Sequence, residues 1–259
     1  MGLMGFINLA HGVFAMAGGY VLSTVMARLG MPFPVALAVA FVAVALGSIV
    51  LERLLYSRLY AAGELTQVLF TIGLIYASVA VARMVYGTLA VPIVLPDYLK
   101  GQLHFVGRDF PTYRVFLIAF SMLIILGLWF GVERTRWGAM VRAAVDNRGM
   151  AQSVGINTSV LFMLTFALGS GLAGLGGALG ADILPVDWTY PFEHLAYFLI
   201  VVAVGGLGSL RGPFIAALLI GIADTACKYW VPELGAFLVY LATMGILLWR
   251  PMGLFGVRA

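Results

Sequence analysis

The side chains best suited to binding a partner lie in one polar stretch, residues 133–157, between two long apolar segments. The stretch reads ERTRWGAMVRAAVDNRGMAQSVGIN and contains four of the fifteen Lys and Arg residues of the chain. A charged side chain costs about 2.5 to 3.5 kcal/mol at the centre of a bilayer, so this stretch lies in water. Its Ala-rich part, 140–154, has no proline and precedes Gly155, which predicts a short helix with a glycine C-cap. We expect this helix to dock a partner.

Polar side chains inside the apolar segments are few. Asn8 and His11, followed by Gly12, open the first apolar run, where hydrogen-bonding groups either join helices or line a polar path. We place these three residues in a candidate translocation pathway. Asp224 and Lys228 stand four residues apart on one face of a helix, which predicts an ion pair. Lys228 lies near a helix end and can reach the interface, so a structural role is favoured over a functional one.

Glycines interrupt the chain at 205–212, in the sequence GGLGSLRG followed by Pro213. Two interpretations are open: a tight turn between two helices, or a broken helix whose backbone lines a cavity at membrane depth. The second interpretation adds Gly205, Gly206 and Gly208 to the candidate translocation pathway. No Gly-Lys-Ser/Thr sequence follows, so the segment is not a phosphate-binding loop, and the chain encodes no nucleotide-binding machinery.

Composition and spacing argue against several other kinds of site. Cys227 is the single cysteine, which excludes an intrachain disulfide and a cysteine-based metal site. His11 has neither a second histidine nor a carboxylate nearby, so we expect no metal there and no cofactor. The net charge of +4 is spread over loops without a basic run interleaved with aromatics, so nucleic acid is not an expected partner.

The elements that position these residues are membrane helices. Of 259 residues 63% are hydrophobic and 10% charged, and the mean hydropathy is +1.05, whereas charged residues make up about a quarter of soluble domains. The apolar windows approach the roughly 20 residues that a helix needs to cross a bilayer and lack the alternation of barrel strands. The predicted fold is all-α: one polytopic transmembrane domain, 1–259, with about eight helices and a short cytoplasmic helix in loop 133–158. The helices are expected near 8–28, 33–51, 66–86, 113–132, 159–181, 194–208, 213–231 and 234–249.

The distribution of Lys and Arg predicts the orientation of these helices. Placing loops 52–65, 133–158 and 209–212 with the C-terminus on one side gathers nine of the fifteen basic residues there. Because basic loops stay in the cytoplasm, this side is assigned to the cytoplasm. On the opposite side, loop 182–193 contains three acidic residues and no basic one, which agrees with the assignment.

The segment 159–181 contains the sequence LGSGLAGLGGALGA, in which Ser170, Gly174 and Ala178 repeat at four-residue intervals. Small residues at this spacing let helix backbones approach closely in lipid. We expect these three residues to pack against other helices, which places the segment at the centre of the bundle.

Four segments carry a resemblance to a known family: GLMGFINLAHG (2–12), TRWGAMVRAAVDNRGMAQSVGIN (135–157), VGGLGSLRGP (204–213) and RPMGLFG (250–256). Together they resemble the LivH-type permease subunits of bacterial branched-chain amino acid ABC importers, over nearly the whole chain and with similar spacing. The resemblance implies a multi-pass transport subunit in the bacterial cytoplasmic (inner) membrane, and not an enzyme. The implied substrates are branched-chain or related amino acids.

The same resemblance implies partners and a coupling segment. The partners are two ATPase subunits, a second homologous permease subunit and an extracytoplasmic substrate-binding protein, all working with membrane lipid. In the family, the cytoplasmic loop inserts a coupling helix into a cleft of the ATPase. Carried over to this sequence, the coupling residues are Arg142, Ala143, Ala144, Asp146, Asn147 and Gly155. Small Ala143 and Ala144 would permit close docking, while Arg142 and Asp146 would hydrogen-bond at the rim.

Two features depart from the family pattern, and two alternatives stay open. The family normally has another hydrophobic helix before NLAHG, and Arg142 stands where the general importer pattern has an acidic residue, although it fits this subfamily. The first alternative is a permease of the same family for urea or short amides. The second is an ion-coupled secondary carrier, for which we would expect several intramembrane charges, whereas only Asp224 lies well inside a predicted helix.

Overall fold

A computed structural model describes residues 8–59, 62–105, 108–206, 211–230 and 235–255. The helices within these ranges are α1 (His11–Leu29), α2 (Phe33–Leu54), α3 (Glu64–Tyr86), α4 (Thr112–Arg134), α5 (Arg136–Asp146), α6 (Arg148–Ser153), α7 (Thr158–Gly180), α8 (Tyr190–Glu193), α9 (Leu195–Gly205), α10 (Arg211–Trp230) and α11 (Gly235–Trp249). Two 3-10 turns, Tyr56–Arg58 and Asp97–Leu99, lie between them. An antiparallel hairpin of β1 (Gln102–Phe105) and β2 (Arg108–Pro111) precedes α4.

The all-α membrane fold is confirmed, with a helix at each of the eight predicted positions. In the described ranges, six helices are long and apolar enough to cross a membrane: α1, α2, α3, α4, α7 and α10. The segments Tyr190–Gly205 and Phe237–Trp249 are shorter apolar helices. The β-hairpin was not predicted; it lies in the long loop 87–111, where its four-residue strands are too short to give a clear alternation.

The chain forms two compact units, and residues 8–193 make up the first. At its centre α7 packs against both α1 and α2. These contacts are close because glycines meet at the crossings: a Cβ at Gly18 would overlap the backbone of Gly174, and a Cβ at Gly177 would overlap that of Ala15. Around them, Leu22, Ala36 and Ala178 belong to one buried apolar cluster. Close packing of helix backbones holds membrane helices together, because in lipid there is no hydrophobic driving force for helix association.

Hydrogen bonds tie the helices of this unit together at both ends. At the end with loops 29–32 and 87–111, called the outer end here, the Tyr113 hydroxyl donates to the Leu179 carbonyl at 2.6 Å. At the same end the hydroxyls of Thr24 and Tyr86 lie 2.9 Å apart. At the opposite end, which we predict to be cytoplasmic, Tyr56 bonds to Asn8. Helices α1, α2 and α3 therefore alternate in direction.

Helix α4 lies at the edge of this core, and Phe116 and Phe120 in its outer half pack against the buried cluster. Of its 23 residues only Tyr113 and Val132, one near each end, are buried. The long middle of α4 is apolar and largely exposed, which suits a surface that faces lipid or another membrane protein.

The second unit contains His194 and the chain after it. In it α10 packs against α9 and α11, and the rings of Tyr197 and Tyr240 lie 6.4 Å apart. The predicted ion pair forms: Lys228 Nζ lies 2.6 Å from Asp224 Oδ2. Lys228 is exposed and Asp224 is largely covered, which agrees with a lysine that reaches outward from a helix end.

Candidate functional site

The polar stretch begins with a tight corner between α4 and α5. Thr135 breaks the helix and caps α5, because its Oγ1 accepts the Gly138 N–H at 3.2 Å. Gly138 lies against Val132, where a Cβ would overlap the backbone. The Arg142 guanidinium donates to the Val132 carbonyl, one of the carbonyls that the end of α4 leaves open. Arg142 thus fixes the corner between α4 and α5. The sequence predicted instead that it forms a hydrogen bond at the rim of the docking site.

The polar stretch contains two helices, whereas the sequence predicted one over 140–154. The chain leaves the helical conformation at Asn147, with φ −152° and ψ 98°, and α6 begins at the next residue. The Asn147 side chain accepts the Met150 N–H at 2.9 Å. The single-helix prediction is wrong because the asparagine side chain can accept a hydrogen bond from a free N–H at the start of a helix. Asparagine therefore favours this cap position over the interior of a continuous helix.

Gly155 ends α6 in the left-handed conformation, with φ +87°. Its N–H bonds to the Gln152 carbonyl, and the Ile156 N–H bonds to the Ala151 carbonyl, both at 3.0 Å. This pair of bonds is a Schellman motif. The predicted glycine C-cap is therefore confirmed, and the need for positive φ explains why a glycine stands there.

The far end of the stretch is fixed to α7. Ala151 is buried, and the Gln152 Nε2 donates to the Thr158 Oγ1 at 2.8 Å. The Arg148 guanidinium lies 5.4 Å from the centre of the Phe162 ring, within the range of a cation–π contact. The segment α5–α6 is thus joined to α4 at one end and to α7 at the other.

One face of α5–α6 remains uncovered within this unit. Ala143 and Asp146 are exposed, and so are two apolar side chains that the sequence did not single out, Met150 at 68% and Val154 at 75%. Ala144, by contrast, is only 1% exposed and faces the protein itself. The expectation that both alanines permit docking is therefore wrong for Ala144. Exposed apolar residues four apart in a polar helix were the sequence signal that could have identified Met150 and Val154.

We expect Gly155→Ala to destabilise the protein and Gly149→Ala to stabilise it slightly. Alanine at Gly155 must hold a left-handed conformation, which costs about 1 to 2 kcal/mol, whereas Gly149 lies inside α6, where alanine gains about 0.5 to 1 kcal/mol. The midpoint of thermal unfolding of the purified protein measures both changes. Equal midpoints for the two variants would contradict the cap assignment.

The candidate pathway residues of the first unit lie at the start of α1. Asn8 Oδ1 accepts the Ala10 N–H at 2.9 Å and the Tyr56 hydroxyl at 3.2 Å. The Leu9 N–H reaches the Thr71 hydroxyl at 3.4 Å. Gly12 is buried and His11 is partly buried beside them. The structure therefore brings the start of α1 together with Thr71 of α3 and with Tyr56 of the turn after α2.

A buried carboxyl group four residues before Tyr56 was not among the predicted residues. Glu52 is 3% exposed and belongs to α2, although the sequence assigned it to loop 52–65. Ser48, Glu52 and Tyr56 follow one another at four-residue intervals and are all buried. This spacing was the signal that α2 continues past residue 51 with a polar inner face.

The candidate pathway glycines of the second unit lie at the end of α9. A Cβ at Gly205 would overlap Gly212 and Pro213, so α9 and α10 meet there with backbones in contact. Gly206 has φ +92°. The C-terminal chain returns to this point, because the Leu254 N–H donates to the Val204 carbonyl at 2.7 Å. Gly208 lies outside the described residues.

The three small residues predicted to pack helices, Ser170, Gly174 and Ala178, are buried along α7. Gly174 lies against Val44 of α2 and approaches Gly18 of α1. Within the part of the chain that the structure describes, no three His, Cys, Asp or Glu side chains are grouped so as to hold a metal ion.

Comparison with known proteins shows relatives over the full length of the chain. The permease protein BraD of the high-affinity branched-chain amino acid transport system of Pseudomonas aeruginosa is 26% identical, over 98% of this chain and 87% of that protein. The corresponding permease protein LivH of Escherichia coli K12 is 27% identical, with the same coverage. The probable branched-chain amino acid transport permease protein LivH of Methanocaldococcus jannaschii is 25% identical, over 96% of this chain and 83% of that protein. No solved structure matches the chain significantly.

A family model gives the same result. The model described as branched-chain amino acid transport system, permease component, matches residues 1–247. The predicted resemblance is confirmed, and with it a multi-pass membrane subunit of a transport system in place of an enzyme. The chain belongs to the family of permease components of branched-chain amino acid transport systems.

Proposed function

We propose that this chain is the membrane-spanning subunit of an ATP-driven importer that carries branched-chain or related amino acids across the bacterial cytoplasmic membrane. Family membership and the named substrates of its full-length relatives support the substrate class. The alternatives of a urea permease and an ion-coupled carrier have no comparable support. Two ATPase subunits, a second homologous permease and an extracytoplasmic binding protein complete the importer.

One observation carries the coupling part of this proposal: α5–α6 is held at both ends while one face stays uncovered. The Val132 carbonyl receives Arg142 at the α4 end, and Thr158 receives Gln152 at the α7 end. A force applied to such a segment moves α4 and α7 instead of bending the loop. The segment can therefore transmit movement from an ATPase to the membrane helices.

The coupling residues have two different roles in this proposal. Arg142, Ala144, Asn147 and Gly155 give the segment its shape through the corner, the buried face, the helix break and the C-cap. Ala143, Asp146, Met150 and Val154 form the docking face that contacts the ATPase. The small Ala143 permits close approach, the two apolar side chains are available for burial, and the carboxylate supplies a charged contact.

The pathway residues remain part of the proposal. Asn8, His11 and Gly12 bring hydrogen-bonding groups into the predicted cytoplasmic end of the first unit, and such groups in a membrane protein mark functional positions. Gly205, Gly206 and Gly208 are the candidates in the second unit. The contacts of Asn8 and Gly205 also show that each supports local structure.

Substrate-dependent ATP hydrolysis by the purified complex tests the proposed function. We expect the binding protein loaded with leucine to stimulate hydrolysis by the reconstituted complex, while the same protein offered urea gives only the basal rate. Stimulation by urea or short amides, with none by leucine, isoleucine or valine, would replace the proposed substrate class.

A further inference from the structure

An apolar groove of about 370 Å³ lies between α2 and α4, with α7 at its base. Five aromatic rings line it together with one leucine of α7: Phe33, Phe41, Tyr98, Phe116, Phe120 and Leu175. The Phe116 and Phe120 rings are stacked 5.5 Å apart along one side. The volume falls within the roughly 300 to 1,000 Å³ of small-molecule sites in proteins. The tyrosine hydroxyl is the one side-chain polar group in this lining.

The groove belongs to the outer half of the helices and faces the surroundings of the protein. It is lined by the first turns of α2 and α4 and by the Asp97–Leu99 turn at the outer end. Helix α4, which forms one wall, has only two buried residues, Tyr113 and Val132, and its other side chains are exposed or partly exposed. Since α2 and α4 are long and apolar enough to cross a membrane, the groove opens on a surface that suits the hydrocarbon of a bilayer.

We propose that this groove is a binding site for a phospholipid of the outer leaflet, with one acyl chain lying along the aromatic rings. A flexible acyl chain can fit an apolar groove of this volume. A helix of a second permease, which is about 10 to 12 Å across with its side chains, would lie over the groove instead of within it.

Charged side chains at the outer end match a head group that carries both a phosphate and an ammonium. Lys100 follows the lining residue Leu99, and Arg114 is in the first turn of α4. Arg114 is exposed and forms no ion pair with the described residues. Asp97 lies 2.8 Å from Lys100, and the hydrogen bond from Lys100 lowers the pKa of that carboxyl. Asp97 is therefore ionised at neutral pH. The phosphate of such a head group can pair with Lys100 or Arg114, and its ammonium can pair with Asp97.

Photolabelling with a phospholipid that carries a diazirine on its acyl chain tests this site. The assembled transporter is reconstituted in phosphatidylethanolamine and phosphatidylglycerol vesicles doped with the probe, and labelled peptides are mapped by mass spectrometry. We expect label on peptides with Phe41 and Phe120 to saturate as the probe fraction rises. Label at Leu69, an exposed position on α3, should instead rise in proportion to the probe.

Two matched tryptophan variants of α2 complete the experiment. Ala38 lines the groove, while Ala43 is exposed on α2 outside it. Ala38→Trp should remove the saturable label, and Ala43→Trp should leave it unchanged. Groove label that rises like that at Leu69, in wild type and in both variants, would show ordinary boundary lipid and overturn the proposal. Absence of groove label in the assembled transporter would show that another protein covers the site, and would also overturn it.

Discussion

Replacing Gly177 by leucine is expected to remove folded protein from the membrane, whereas replacing its neighbour Gly176 is expected to leave the protein intact. A Cβ at Gly177 would overlap the backbone of Ala15, which cannot turn aside as a flexible side chain can. Excess volume in a packed core costs about 1 to 3 kcal/mol where the neighbours adjust, and more where they cannot. Total stability is about 5 to 15 kcal/mol, so separation of α1 from α7 should unfold the first unit.

Gly176 is the matched control for this experiment. It is exposed on the same helix, and no heavy atom lies within 4 Å of its Cβ position. Size-exclusion chromatography of a fluorescent fusion, extracted in mild detergent, measures the amount of folded protein for both variants. Equal monodisperse peaks for Gly177→Leu and Gly176→Leu would contradict the proposed close crossing of α1 and α7.

Replacing Ala143 by glutamate is expected to abolish transport without affecting insertion or folding. The side chain points away from the protein on the proposed docking face, so an added carboxylate meets the ATPase and not the permease. An unpaired charge buried at an interface costs about 3 to 5 kcal/mol, which corresponds to a loss in docking affinity of more than about a hundredfold. ATP-dependent uptake and co-purification of the ATPase should both be lost.

Ala144→Glu should fail differently, because Ala144 is buried within the permease. There the carboxylate destabilises the permease itself, and folded protein is lost before any partner is met. Ala143→Ser provides the conservative control and should transport normally. Normal uptake by Ala143→Glu at normal expression, or loss of folded protein in both glutamate variants, would contradict the assigned docking face.

Most of the helical framework was predictable because the length of an apolar segment in the sequence indicates the length of the helix that it forms. The start of α2 at Phe33 follows Pro32, and its apolar sequence continues for five turns. The sequence misplaced the end of α2, because Glu52 and Arg53 have the composition of a loop although Glu52 packs inside. A charged residue in a sequence shows its cost in lipid but not whether other side chains shield it.

The candidate site was predicted in location but not in shape. The charge of the 133–157 stretch and the glycine at its end were sufficient to predict a capped helix outside the membrane. The break at Asn147 occurs because its side chain caps α6 instead of lying inside one continuous helix. Local helix propensity does not decide between these two states. Which of Ala143 and Ala144 faces outward depends on how α5 turns at Thr135, a tertiary contact with α4.

Uptake of labelled leucine into vesicles tests the central claim most directly. Vesicles containing this chain, its partner permease and the ATPase, supplied with ATP on the ATPase side and loaded binding protein on the other, should accumulate leucine. The same vesicles prepared without the ATPase should accumulate none. Accumulation that persists without the ATPase would contradict the proposed mechanism. The chain would then transport leucine by itself, and its α5–α6 segment would not be needed to bind an ATPase.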